Sequence, residues 1–205
     1  MSFLTFLVAA LVLAITPGPG IAYVIARTVT GGRAEGLASC FGTAIGGMLH
    51  VLAAATGLSL LVAQSAVAFT IVKYVGAIYL IYLGVRLLLQ KERDPSTLRV
   101  EAQGPRRALL EGILVEALNV KTALFFLAFL PQFVRVSEPV VPQLVLLGTI
   151  CVILNTLVDV VAVLWSVRLL ASRTTQAARA LLLRRASGAT MVALGTFLAL
   201  SKREA

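Results

Sequence analysis

The sequence predicts an all-α polytopic membrane protein: six transmembrane helices, forming two inverted three-helix repeats with helices 1 and 4 broken near the midplane. Three observations carry this. Of 205 residues, 59% are hydrophobic and 13% charged, with a mean hydropathy of +0.96, whereas soluble domains are about 45–50% apolar and about 25% charged. The charged residues collect between apolar stretches. The first of these stretches is interrupted by Thr16-Pro17-Gly18-Pro19-Gly20.

Helix 1 is expected over Phe3–Ile25. Proline lacks an N–H and crowds the preceding turn, and glycine weakens a helix, so the helix breaks at Thr16–Gly20. In lipid, backbone groups freed in this way must be satisfied by protein or by a wet cavity. No positively charged region precedes the apolar run, which therefore reads as a retained span rather than a signal peptide. A polar loop, 27–36, leads to helix 2 at Leu37–Val62, with Gly42, Gly46, Gly47 and His50. Gly42 and Gly46 are spaced for close helix approach, a packing seam that permits a homodimer without requiring one. A turn at Gln64-Ser65 opens helix 3, Val67–Leu89.

Residues 91–108 form the clearest aqueous loop and separate a first half, 1–90, from a second, 109–205. Helix 4, Leu109–Val134, carries Glu111, Glu116, Asn119 and Lys121 and ends near Pro131. Helix 5, Val140–Trp165, carries Asn155 and Asp159. A basic stretch, Ser166–Arg185, is placed at the interface, and helix 6 is Ala186–Leu200. The loops after helices 1, 3 and 5 hold 12 Lys and Arg, and the opposite side holds 3. The positive-inside rule puts those loops in the cytoplasm and both termini outside. A five-span arrangement would move only the C-terminus.

The net charge of +9 is accounted for by these loops rather than by nucleic-acid binding. One His and two Cys, Cys40 and Cys151 in apolar segments, give no metal cluster, disulfide framework or cofactor motif. No nucleophile–base pair suggests an enzyme, and no phosphate-binding Gly-x-x-x-x-Gly-Lys-Ser/Thr occurs.

Weak similarities relate the halves. Gly42-Thr43-Ala44-Ile45 resembles Gly148-Thr149-Ile150-Cys151, and Leu83-Gly84 resembles Leu194-Gly195. Three spans per half would make the repeat inverted, a transporter plan with solute held at discontinuous helices. The polar segment Glu116–Lys121 falls where the plan needs a second disturbed helix.

Thr16, Pro17, Gly18, Pro19 and Gly20 then offer free carbonyls and an N–H-rich helix start that attracts a carboxylate. Asn119 supplies a donor and an acceptor. Lys121 is costly in lipid unless paired or wet. It pairs with Glu116 or Asp159, holds a substrate carboxylate, or snorkels. Asn155 and Asp159, four apart, share a helix face. Asp159 binds an ammonium, carries a proton, or forms a static bridge to Lys121. His50 is a second proton carrier or a packing residue. A site with both a carboxylate binder and an ammonium binder suits a small amino acid. With no ATP motif, uphill movement must draw on an ion gradient or a separate partner.

The same motifs resemble the LysE/RhtB superfamily of small amino-acid exporters. The matching pieces are Thr16-Pro17-Gly18-Pro19, the Gly32-Arg33…Gly36…Gly42…Gly46 series, Tyr74–Gly84, and Gly112…Asn119-Val120-Lys121…Phe125-Phe126…Pro131-Gln132-Phe133. The resemblance implies a bacterial inner-membrane exporter driven by protons. Val120 stands where the family usually has proline, which restores an N–H and predicts a milder break in helix 4. Rival readings are a secondary transporter of another small solute, such as an organic toxin or cation, and a non-transporting scaffold subunit.

Overall fold

The computed structural model describes residues 2–58, 66–89, 102–135, 137–169 and 176–200. The described residues are helical, with short connections. Helix α1, Phe3–Ile15, is capped by the Ser2 side chain, which accepts from the Thr5 N–H at 3.2 Å. Helix α2, Pro19–Ala53, runs into a π-helical turn, Ala54–Leu58. Helix α3 is Ala66–Leu89 and α4 is Pro105–Ala117. The short α5, Val120–Leu124, continues as a π turn, Phe125–Phe129, and a 3-10 turn, Leu130–Phe133. Helices α6, Val140–Leu169, and α7, Gln176–Leu200, complete the fold.

The expectation of six transmembrane helices is corrected. By length and composition, two described helices can cross a membrane, Pro19–Gly57 and Val140–Trp165. A third is available if Pro105–Ala117 and Val120–Phe133, bent by 42°, count as one span. The apolar stretch read as helix 1, Phe3–Ile25, is cut by its break. The resulting α1 has 13 residues, or about 20 Å of helix, against a hydrocarbon core of about 30 Å. At the other end, Met191–Leu200 of α7 is a shorter apolar helix among the described residues. The two-repeat plan built on six spans falls with that count.

The polar loop expected at 27–36 is also absent. These residues are helical except at Gly32, whose φ of 74° is open to glycine and turns the chain sharply. Arg27, Thr28 and Glu35 are buried there, and their partners are protein groups: Arg27 bonds Tyr23 and Gln103, Thr28 the Val24 carbonyl, and Glu35 Oε1 two backbone N–H groups. The loop placed at 91–108 ends early, since α4 begins at Pro105 behind Gly104. Residues 91–101, the Gln64-Ser65 turn and residues 170–175 of the basic stretch lie outside the described residues.

Small residues set the packing. Gly42 and Gly112 bring α2 and α4 into backbone contact, where a Cβ on Gly112 would fall 3.2 Å from the Gly42 Cα. A Cβ on Gly46 would sit 2.6 Å from the Ile113 carbonyl. The seam proposed for a homodimer is therefore filled by the chain's own α4. Gly84 and Gly188 do the same for α3 and α7, and α6 packs on α1 and α2. Phe6, Leu13, Phe125, Phe129, Leu144 and Leu198 form the centre of the core.

Candidate functional site

Both chain breaks meet at one place. The first lies between α1 and α2, where Thr16 and Gly18 are extended. The last carbonyls of a helix have no partner within it. Here two of them are taken by a lysine from the other break. Lys121 Nζ donates to the Leu13 carbonyl at 3.1 Å and to the Thr16 carbonyl at 2.8 Å. Thr16 Oγ1 itself donates to the Val12 carbonyl at 2.6 Å. Gly18 makes the approach possible, because a Cβ there would lie 3.0 Å from Lys121 Cε. Gly20 admits the other partner: a Cβ would lie 2.5 Å from Glu116 Oε2.

The second break falls at Leu118-Asn119. It forms without a proline, although Val120 led us to expect a milder interruption. Asn119 is extended and caps α5, its Oδ1 accepting from the Lys121 N–H at 3.1 Å. Glu116 fastens the break from inside. Its Oε2 accepts from Asn119 Nδ2 at 3.0 Å and its Oε1 from Thr122 Oγ1 at 2.6 Å. His50 braces it from α2, with Nε2 2.8 Å from the Glu116 carbonyl oxygen. A carbonyl only accepts, so His50 Nε2 carries the hydrogen.

Between the breaks and α6 lies a cavity of about 30 Å³, room for about two water molecules. Its polar wall includes Thr43, Glu116, Asn119, Lys121, Asn155 and Asp159, and its apolar wall includes Ala14, Ile21, Ala44, Gly47 and Val152. Asp159 Oδ2 lies 3.1 Å from Thr43 Oγ1, which lies 3.0 Å from the Cys40 carbonyl. Asn155 stands one turn before Asp159, on the same wall.

The sequence-derived candidates thus divide. Gly20, Glu116, Asn119, Lys121, Asn155 and Asp159 line one cavity. Thr16 and Gly18 touch it through Lys121, and Pro17 and Pro19 shape the break. His50 is not among the lining residues. Thr43, Thr122 and Thr156 line the cavity but were not singled out. A threonine in an apolar helix carries no distinguishing signal until its partner is seen. Among the described residues no group of His, Cys, Asp and Glu could hold a metal ion.

A family model described as LysE type translocator matches residues 11–202. The chain belongs to this family. The translocator is 32% identical over 158 residues to an uncharacterized membrane protein of Vibrio cholerae, covering 76% of each chain. It is 32% identical over 173 residues to the uncharacterized membrane protein YrhP of Bacillus subtilis, covering 80% of this chain and 79% of that one. It is also 31% identical over 140 residues to the leucine efflux protein of Salmonella typhimurium, covering 68% and 66%. No solved structure matches the chain. The translocator is a multi-pass membrane transporter for small molecules, not an enzyme.

Proposed function

We propose that this translocator exports a small neutral amino acid across a bacterial inner membrane in exchange for protons. The observation that carries the reading is the convergence of both helix breaks, Lys121 and Asp159 on one cavity. The substrate carboxylate is assigned to the first turn of α2 and to Lys121. Two of the lysine's three N–H groups are used by carbonyls, which leaves one for a ligand. The substrate ammonium, or a proton in its place, is assigned to Asp159, whose Oδ2 accepts from Thr43 Oγ1. Glu116 already accepts two hydrogen bonds and is assigned to holding the break. The small apolar wall suits an aliphatic side chain, and a relative named for leucine efflux points the same way.

The present cavity is too small for an amino acid, so the helices must part before one is admitted. Alternating access supplies that movement. The basic loops are assigned to the cytoplasmic side by their charge. The test is counterflow of labelled leucine, threonine and lysine in proteoliposomes, with and without a pH gradient. Gradient-driven leucine flux supports the reading. A folded protein that moves none of the three contradicts it.

A further inference from the structure

A second polar cluster lies away from the cavity, at the basic end of the bundle. Arg27 is 2% exposed. Its Nη2 donates to Gln103 Oε1 at 3.0 Å and to Glu111 Oε2, and its Nε donates to Tyr23 Oη at 3.1 Å. Its Nη1 is 3.7 Å from Glu35 Oε2. Tyr23 Oη sits 2.9 Å from the Ala108 carbonyl. Glu35 Oε1 accepts the N–H groups of Gln103 and Gly104 at 2.9 and 2.7 Å. Arg107 Nε donates to Glu111 Oε1 at 2.9 Å. One buried guanidinium thus ties three pieces of chain together: α2 before Gly32, α2 after it, and the start of α4.

The position of this cluster matters more than its size. Along α2, Gly20 meets Glu116 at the cavity, Tyr23 meets Glu111 and Arg27 meets Gln103. The segments run antiparallel, with the cavity at one end of their contact and the cluster at the other. Arg27 is seven residues from Gly20, or about 10 Å along a helix. Beyond Lys121, in the opposite direction, the closure is aromatic: Phe129 packs on Phe125 and Phe133, and Phe133 on Phe6.

We propose that Arg27, with Glu35 and Glu111, is the latch that closes the basic end of the transport pathway. The proposal rests on reading the cavity as the substrate site. The chemistry fits a part that must open. Glu35 Oε2 is buried with no hydrogen bond, held by Arg27 through charge alone. Glu111 is about one-third exposed and shared between Arg27 and Arg107, so water and Arg107 can take over its carboxylate when Arg27 leaves. A closure made of charge also admits water as soon as it parts, which the aromatic closure does not.

The test uses the full chain in sealed vesicles with Cys40 and Cys151 replaced by alanine. Thr156→Cys reports on the cavity and Arg106→Cys marks which face carries the latch. A membrane-impermeant thiol reagent is applied to each face. Arg27→Gln, and separately the milder Glu111→Gln, should speed modification of Thr156→Cys from the Arg106 face by at least about tenfold, the change that about 1.4 kcal/mol produces. The other face should show no acceleration. The charge-conserving Arg27→Lys should keep modification slower than Arg27→Gln does, since it retains the cation facing Glu35 and Glu111. Equal rates from the Arg106 face with and without Arg27, or equal acceleration from both faces, would overturn the latch. If Thr156→Cys reacts from neither face in any variant, the reading of the cavity fails and the latch with it.

Discussion

Glu116 Oε2 lies where a Cβ on Gly20 would have to be, at 2.5 Å. The glycine of the first break and the carboxylate of the second therefore occupy complementary space, about a hundred residues apart in sequence. Overpacking a site of this kind costs about 1–3 kcal/mol. Gly20→Ala should displace the carboxylate, lower thermal stability in detergent and reduce flux by at least about fivefold, the effect of about 1 kcal/mol. Gly57→Ala, which would meet nothing within 4 Å, is the matched control and should leave flux unchanged.

Lys121 closes two carbonyls at the end of α1, those of Leu13 and the capping Thr16. Lys121→Met removes both hydrogen bonds and leaves Leu13 O and Thr16 O buried without them, at about 1–3 kcal/mol each. A melting temperature several degrees lower, together with lost flux, is the expected outcome. Lys121→Arg should not rescue transport, because Gly18 already packs against the lysine stem and a planar guanidinium is no substitute for a compact ammonium. Detergent melting curves for both variants check this.

Asp159→Asn keeps a side-chain oxygen for Thr43 and removes the charge. Stability should stay within about 1 kcal/mol, since the hydrogen bond survives. Leucine exchange should then persist while the response to an imposed pH gradient disappears. Flux measured in the same vesicles with and without the gradient separates the two.

Val120→Pro should be tolerated. Val120 is the first residue of α5, a position whose N–H has no helical partner and whose φ suits proline. The expected change in melting temperature is small, and flux should be retained. A collapse in both would show that the break depends on the Val120 N–H.

The breaks and the polar residues that line the cavity were more legible than the span count. Pro17, Gly18, Pro19 and Gly20 announce a break by composition alone, and Asp159 and Lys121 stand out because ionised groups are rare among apolar neighbours. Their convergence was not legible, since it depends on Gly18 and Gly20 having no side chains. The polar residues 27–36 misled for a physical reason. Charge at a chain position says that a partner is needed, and Arg27 and Glu35 find theirs in protein rather than in water. Likewise, Phe3–Ile25 counts as one broken span in the sequence, but the helix before the break, Phe3–Ile15, is too short to cross by itself.

On the proposed reading the solute sits in the cavity between the two breaks. Protection of Thr156→Cys by substrate tests this most directly, in the chain with Cys40 and Cys151 replaced by alanine. At about ten times its Kd, leucine should slow thiol modification about tenfold, in proportion to the unoccupied fraction. Asp159→Asn with Lys121→Ala should abolish that protection. Leucine that is transported at full rate while Thr156→Cys reacts unhindered would place the solute outside this cavity.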